Sequence, residues 1–420
     1  MNLPAGLRAL RHRDFRLFFV GQGVSQLGTW LQMIATSWLV YRLSESAFLL
    51  GLSAFAMQIS FLFMTPIAGV FVDRLDRRRV LMLTNCIAVL QATTMFALVA
   101  LGEVQAWHLI VGNLVLGIVS ACDAPARQSI LIQLVGGRAD LPNAIALNSV
   151  MMNGARFIGP MVGGAVIAAF GERWGFGLNA LSYFVMISAL WRMTPSPPPR
   201  ARAGTPGLLS ELAAGARYAY GFFPSRCALL LLTATSLGVN SYAALMPWFA
   251  RETFHGDSGV LGVMLGAAGF GAVSGMIYLA SRPGIRGLFR LIGWTAALAG
   301  AALVTFAFSH RLWIALPALY FVGMGLMLTA ASTNTVLQSI VPDELRGRVA
   351  SLYVMSFLGM APLGAFATGW AAEHIGPPAA LAICGGIALA AAAVYAGRLP
   401  AIRKEIRPVY ERLGVIDAAH

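Results

Sequence analysis

The sequence predicts an all-α membrane protein with 12 transmembrane helices in two pseudo-symmetric six-helix bundles. Three observations carry that expectation. First, 58% of the 420 residues are hydrophobic and only 11% are charged, where a soluble domain has about 25% charged residues. That much apolar surface exceeds what one soluble core can hide. Second, the apolar residues fall into runs of the length a bilayer-crossing helix needs, roughly 20 residues. Third, the basic residues gather in short segments between alternate runs, as orientation signals do.

The expected spans lie near 15–42, 47–73, 79–101, 105–126, 142–170, 174–193, 226–250, 258–281, 288–308, 312–336, 347–372 and 378–397. Orientation follows from the basic residues. With the N-terminus inside, 25 of the 30 Lys and Arg residues fall in cytoplasmic segments. Arg42, Arg173, Arg251 and Arg311 fall outside, and Arg156 falls within a span. Both termini are therefore expected in the cytoplasm of a bacterial inner membrane. The net charge of +13 is spread over these loops, so it marks topology and not a nucleic-acid partner. The basic start, Met1 to Arg16, leads into an apolar run without a cleavage site and reads as a retained first helix.

Cys86, Cys122, Cys227 and Cys384 stand apart, with no CxxC or His/Cys cluster. They predict neither a disulfide framework nor a metal site. No cofactor is expected. The glycines from Gly262 to Gly275 lack the Lys-Ser/Thr of a phosphate loop and read as helix packing. The chain is expected not to be an enzyme, and not to use ATP.

A Pro-rich stretch, Pro195 to Pro199, opens the longest connection. It divides the chain into an N-terminal bundle at 1–193, a linker at 194–225, a C-terminal bundle at 226–397 and a tail at 398–420. Within the linker, Leu208 to Phe222 has the pattern of a surface-lying amphipathic helix. The halves also share an offset of 205, which pairs Gln133 with Gln338, Gly159 with Gly364, Gly164 with Gly369 and Gly171 with Gly376. Such duplication is one of the plans on which transporters are built.

After the second span comes Gly69-Val-Phe-Val-Asp73-Arg74-Leu75-Asp76-Arg77-Arg78-Arg79. It resembles motif A of the major facilitator superfamily, with Asp76 where that pattern has Gly. The runs Gly28-Thr29-Trp30-Leu31-Gln32 and Trp38-Leu39-Val40-Tyr41, and Asp343-Glu344-Leu345-Arg346-Gly347-Arg348-Val349, extend the likeness. They resemble the enterobactin-exporter-like branch, also called the transmembrane secretion effector group. The resemblance implies a major facilitator fold with alternating access around a central cavity. It also implies a cytoplasmic gate: Gly69, Asp73, Arg74, Arg77 and Arg78, with Asp123 as the acidic partner of Arg77. An Asp at a helix C-terminus is unfavourable by itself and needs a partner.

In the fifth span, Ala155-Arg156-Phe157-Ile158-Gly159-Pro160-Met161-Val162-Gly163-Gly164 resembles motif C, a signature found mostly in exporters, with Ala155 where its first Gly falls. Gly159, Gly163 and Gly164 permit close helix approach, and Pro160 removes one backbone hydrogen bond.

The resemblance assigns cavity lining to the first, fourth, seventh and tenth spans. Gln22, Gln26 and Thr29 form one face of the first. Asn113 marks the fourth, Asn240 the seventh, and Tyr320 and Asn334 the tenth, with Gln58 and Asn153 as further polar candidates. Arg156 lies near the middle of the fifth span, where an unpaired charge costs at least about 2.5 kcal/mol. It is expected to face a cavity and bind an anionic group, or else to be clamped by Asn153, carbonyl groups or a glutamine on the first helix. Interhelical hydrogen bonding uses the same residue types.

The expected function is secondary active export of a small amphipathic molecule, anionic, siderophore-like or drug-like, by proton antiport. The partners are that substrate, membrane lipids and protons, and the functional unit is a monomer. Alternatives are a lipid or lysophospholipid translocator, or a non-transporting receptor or assembly subunit. Apart from Asp123 no carboxylate lies deep in a span. Asp123, or the Glu103–His108 region, would have to carry the proton.

Overall fold

The computed structural model describes residues 4–137, 139–194, 217, 219–282 and 284–412, without the side chains at 5, 61, 62, 65–74, 343 and 344. Among the described residues there are helices and turns and no strand. In chain order the long helices are α1 (Arg13–Ser44), α2 (Ala47–Arg74), α3 (Arg77–Leu101), α4 (Ala106–Leu134), α5 (Leu141–Phe170) and α6 (Arg173–Arg192), followed by α7 (Phe223–Thr253), α8 (Ser258–Ala280), α9 (Leu288–Ala307), α10 (Leu312–Ile340), α11 (Leu345–Ile375) and α12 (Pro377–Arg412). Ten of these, α3 to α12, are long and apolar enough to cross a membrane, and α2 opens with the apolar stretch Ala47–Ser60. α1 has 32 residues, with a stripe of glutamines and hydroxyls along it.

Local chemistry sets the helix ends. Glu45 closes α1 in the left-handed region at φ 52°, and Gly102 closes α3 at φ 78°. Asp76 caps the start of α3: its Oδ1 accepts from the Arg78 backbone N–H at 3.0 Å. The residue that departs from motif A therefore has a helix-starting job here. His108 does similar work on α4, its Nδ1 accepting from the Gln105 backbone N–H at 3.0 Å in a reciprocal capping box.

The helices gather into two compact units. Unit 1 holds α1 to α6 and takes in Met246–Gly266; unit 2 holds the remainder of α7 and α8 with α9 to α12. The unit 1 core includes Phe15, Phe18, Ile130, Met186 and Leu190. A buried polar chain crosses it: Asn179 Nδ2 donates to Gln32 Oε1 at 2.7 Å, and Gln32 Nε2 donates to Gln91 Oε1 at 2.9 Å. It ties α6 to α1 and α1 to α3, so each buried amide finds a partner. Unit 2 is built around Leu229, Ile292, Val336 and Tyr395, joined by Ile402 and Ile406.

Three boundaries differ from the sequence expectation. α4 continues past 126 to Leu134, so Arg127 lies inside a helix and not in a loop. α12 continues past 397 to Arg412, because Ile402, Ile406 and Tyr410 repeat at helical spacing and bury one face. Met246–Gly266, on the C-terminal side of the linker, packs with unit 1. The linker expectation at 195–216, including most of Leu208 to Phe222, lies outside the described residues.

Before α1, a short 3₁₀ helix (Ala5–Arg11) docks on the start of α5. The Ala9 N–H donates to Asn143 Oδ1 at 2.9 Å. Asp140 receives Arg8 at 3.0 Å and His12 at 2.9 Å.

Candidate functional site

Unit 1 contains a cavity of about 430 Å³. α1 lines it with Gln22, Ser25, Gln26 and Thr29, the stripe that period 3.6 places on one helix face. α3 contributes Thr84 and Asn85, α4 contributes Asp123, Arg127 and Gln128, α5 contributes Asn148, and α6 contributes Tyr183. The wall is thus mainly uncharged and hydrogen-bonding, with Met57, Leu116 and Met152 as apolar patches. Such a mixture suits a ligand with both polar and apolar surface.

One charge pair sits in this wall. Arg127 Nη2 donates to Asp123 Oδ2 one helical turn earlier, and Thr84 Oγ1 donates to Asp123 Oδ1 at 3.0 Å. Asp123 is only 8% exposed, so its charge needs both partners. Among the described residues, Arg127 Nε and Asn148 Oδ1 are buried without a hydrogen-bond partner. A buried polar group left unsatisfied costs about 1–3 kcal/mol. The cavity wall therefore retains one donor and one acceptor that could be met by a ligand.

The acidic partner expected for Arg77 is taken. Asp123 pairs with Arg127, not with Arg77, because the i, i+4 spacing on one helix brings those two together before any other element is needed. Among the described residues, Arg77 Nε and Nη1 are buried without a partner. Arg78 instead closes the end of α6: Nε donates to the Leu190 carbonyl and Nη2 to the Trp191 carbonyl, both at 2.7 Å. The last carbonyls of a helix lack i+4 donors, and a cation there is favourable. The side chains of Gly69, Asp73 and Arg74 lie outside the described residues.

The motif C glycines sit where helices touch. A side-chain carbon on Gly159 would lie 2.5 Å from the Trp30 ring, and one on Gly164 would lie 2.8 Å from Gly262 Cα. The Ser258 hydroxyl donates to the Gly164 carbonyl at 3.3 Å. Pro160, between them, has its carbonyl 2.5 Å from the position a Gly262 side chain would take. Gly163 lies against Leu31.

Other expected site residues stand elsewhere. Asn113 donates to Ser53 Oγ at 2.9 Å and ties α4 to α2. Gln58 and Asn153 donate to carbonyls one turn earlier in their own helices, Ala54 and Ser149. Arg156 is exposed and does not line the unit 1 cavity. Asn153 does not clamp it, since the Asn153 amide is turned to Ser149. Asn240, Tyr320 and Asn334 belong to unit 2. There Tyr320 packs against Phe270 and Phe321, at 5.5 and 5.2 Å between ring centres.

Sequence reasoning missed Thr84, Asn85, Arg127 and Tyr183 as cavity residues. For Arg127 a signal existed, the acid–base spacing of four along one apolar helix. For the other three, on α3 and α6, local pattern offers none.

At the far end of α1 a second polar cluster closes unit 1. Tyr41 is buried and its hydroxyl donates to Glu252 Oε1 at 3.0 Å. Arg251 pairs with Glu45 at 3.2 Å and lies over the Tyr41 ring. Arg42 pairs with Glu172 at 3.2 Å.

Residues 5–411 match the family described as transmembrane secretion effector. The staphyloferrin A transporter of Staphylococcus aureus is 24% identical, covering 86% of this chain and 90% of its own. The multidrug efflux pump Tap of Mycolicibacterium fortuitum is 27% identical over 83% and 87%. The enterobactin exporter EntS of Shigella boydii is 25% identical over 89% of each. In fold, the chain resembles the nucleoside transporter NupG, with a TM-score of 0.71 at 13% identity over 91% of this chain and 99% of that one. It likewise resembles a bacterial homologue of the lysosomal transporter Spinster, with a TM-score of 0.70 at 14% identity over 94% and 98%. A multi-pass helical membrane protein matched along almost its whole length in this way is a transporter and not an enzyme, and the chain belongs to the transmembrane secretion effector family of the major facilitator superfamily.

Proposed function

We propose that the protein is a secondary active exporter that moves a small amphipathic molecule out of the cytoplasm by proton antiport and alternating access. The observation that carries this reading is the Asp123–Arg127 pair in the wall of a cavity otherwise lined by amides, hydroxyls and methionines. A carboxylate beside the ligand is the group that can exchange a proton for the ligand during each cycle. Arg127 is the partner of that carboxylate in the wall; a proton delivered to Asp123 releases the guanidinium to a ligand acceptor. The relatives that carry siderophores and drugs support a substrate of that size and mixed polarity. The arginine bias supports a bacterial inner-membrane location with both termini in the cytoplasm, and the cytoplasmic gate is the role proposed for Asp73, Arg74 and Arg77, while Arg78 holds the end of α6.

Purified protein in liposomes with an imposed pH gradient tests this. Staphyloferrin A, enterobactin and ethidium form the probe panel. At least one is expected to move against its own gradient, with proton counter-flow seen by an internal pH dye. Asp123→Asn should abolish the dependence on the pH gradient. Movement that persists unchanged when the gradient is collapsed would overturn proton antiport, and no movement of any panel member would overturn the export reading.

A further inference from the structure

We propose that the end of unit 2 formed by the α12 extension and the α8–α9 turn is a seat for anionic phospholipid headgroups of the cytoplasmic leaflet. The argument begins with length. The apolar part of α12 runs from Pro377 to Gly397, about 31 Å at 1.5 Å per residue. A hydrocarbon core is about 30 Å thick. Arg398 therefore falls at the boundary, and everything after it lies in or beyond the headgroups.

The extension does not point away from the membrane. The Tyr410 hydroxyl donates to the Ile285 carbonyl at 3.4 Å. Ile285 belongs to the turn that joins α8 to α9. α9, at 20 residues, is only just long enough to span, so its first residues lie at the boundary too. Ile402 and Ile406 are buried in the same cluster as Leu288 and Phe289, the start of α9. One face of the extension is thus held across the end of the bundle at headgroup depth.

The remainder of the extension's surface is basic. Arg398, Arg403, Lys404, Arg407 and Arg412 are exposed, and Arg286 and Arg290 are exposed on the turn and the first part of α9. Two acids share the extension: Glu405 is exposed, and Glu411 accepts from Arg407 at 2.9 Å. The balance stays positive. Screening at physiological salt has a length of about 8 Å, so charges at the boundary still act on lipid phosphates. Guanidinium groups also match the phosphate oxygens in geometry. A topology signal would need only the charges, carried by an unfolded loop. Here an apolar stripe of three residues docks the helix that carries them against the end of the bundle, which insertion does not require.

The experiment uses the full chain purified in detergent, titrated with phosphatidylglycerol or phosphatidylcholine. Bound lipid is read by native mass spectrometry and the thermal midpoint by tryptophan fluorescence. Phosphatidylglycerol is expected to be retained and to raise the midpoint, phosphatidylcholine much less, and high salt should shrink the difference. R403Q/K404Q/R407Q should weaken phosphatidylglycerol retention about tenfold or more. R173Q/R311Q, which removes basic residues assigned to outer loops, should leave it unchanged. If the triple variant does not fold, R286Q/R290Q carries the same expectation of loss. Equal retention of the two lipids, or a variant that keeps the full preference, would overturn the proposal. Retention of polyglutamate as strong as that of the lipid would overturn it as well, since the seat would then be a general acidic-peptide surface.

Discussion

Thr84 on α3 and Asp123 on α4 are joined by a 3.0 Å hydrogen bond, with Arg127 bound to the other carboxylate oxygen. The bond unites two helices and leaves the carboxylate oriented toward the cavity that both helices line. Removing one partner of a buried pair costs about 3–5 kcal/mol because the remaining charge is stranded. Arg127→Gln should therefore lower the thermal midpoint strongly. The double change Asp123→Asn with Arg127→Gln should recover most of that loss while pH-driven transport stays absent. Fluorescence-detected melting and liposome flux, measured on the same preparations, separate the two effects.

The motif A segment divides into residues that build helix ends and residues proposed to gate. Asp76→Ala removes an N-cap and should cost about 1 kcal/mol of stability. Arg78→Gln should loosen the end of α6 to a similar degree, since it strips two carbonyls of a charged donor. Both variants should still transport. Asp73→Asn should abolish transport while reaching the membrane in normal amounts, read by surface labelling beside flux.

The contact of Gly164 with Gly262 leaves no room for a side chain. Gly164→Val forces backbone apart and should cost about 1–3 kcal/mol, as overpacking does. Gly154, on the same helix, has open space around it. Gly154→Ala should leave the melting midpoint unchanged or slightly raised.

The docked N-terminus should release in acid. The hydrogen bond from His12, and then the positive charge of Arg8, hold the Asp140 carboxyl below its ordinary value of 3.8. A group whose folded value is lowered stabilises the fold above its unfolded value and loses that contribution as pH falls through the folded one. The Ala5–Arg11 helix should stay protected at neutral pH and open below about pH 4. Hydrogen exchange across residues 5–11, with Asp140→Asn as the variant already open at neutral pH, measures it.

The fold was readable because its signals are local. A run of apolar residues, a Gly before a turn and an i, i+4 polar stripe such as Gln22, Gln26 and Thr29 each declare themselves within a few positions. The cavity was readable only in part, because its other walls are not local. Thr84 and Tyr183 reach it from helices whose sequence patterns mark no cavity face. Gln32 and Asn113 have the composition of cavity residues, yet their partners Gln91 and Ser53 lie on other helices and draw them into packing. The sequence pattern ends the fourth span at 126 and leaves Arg127 beyond it, because a charge ordinarily closes an apolar run. A neutralising Asp one turn earlier lets the helix carry that charge onward.

That neutralisation has a consequence for what the cavity admits. Among its described lining residues Asp123 is the sole acid and Arg127 the sole base. Their fields cancel at any distance much longer than the pair itself. A small inorganic ion would shed its tightly held water on entry and meet no compensating potential, whereas a large organic ion with dispersed charge sheds less. A dipolar or neutral molecule shed of little water would lose less. Discrimination would then rest on dehydration cost and on fit within about 430 Å³, and one wall could accept chemically unrelated compounds as long as each is easily dried.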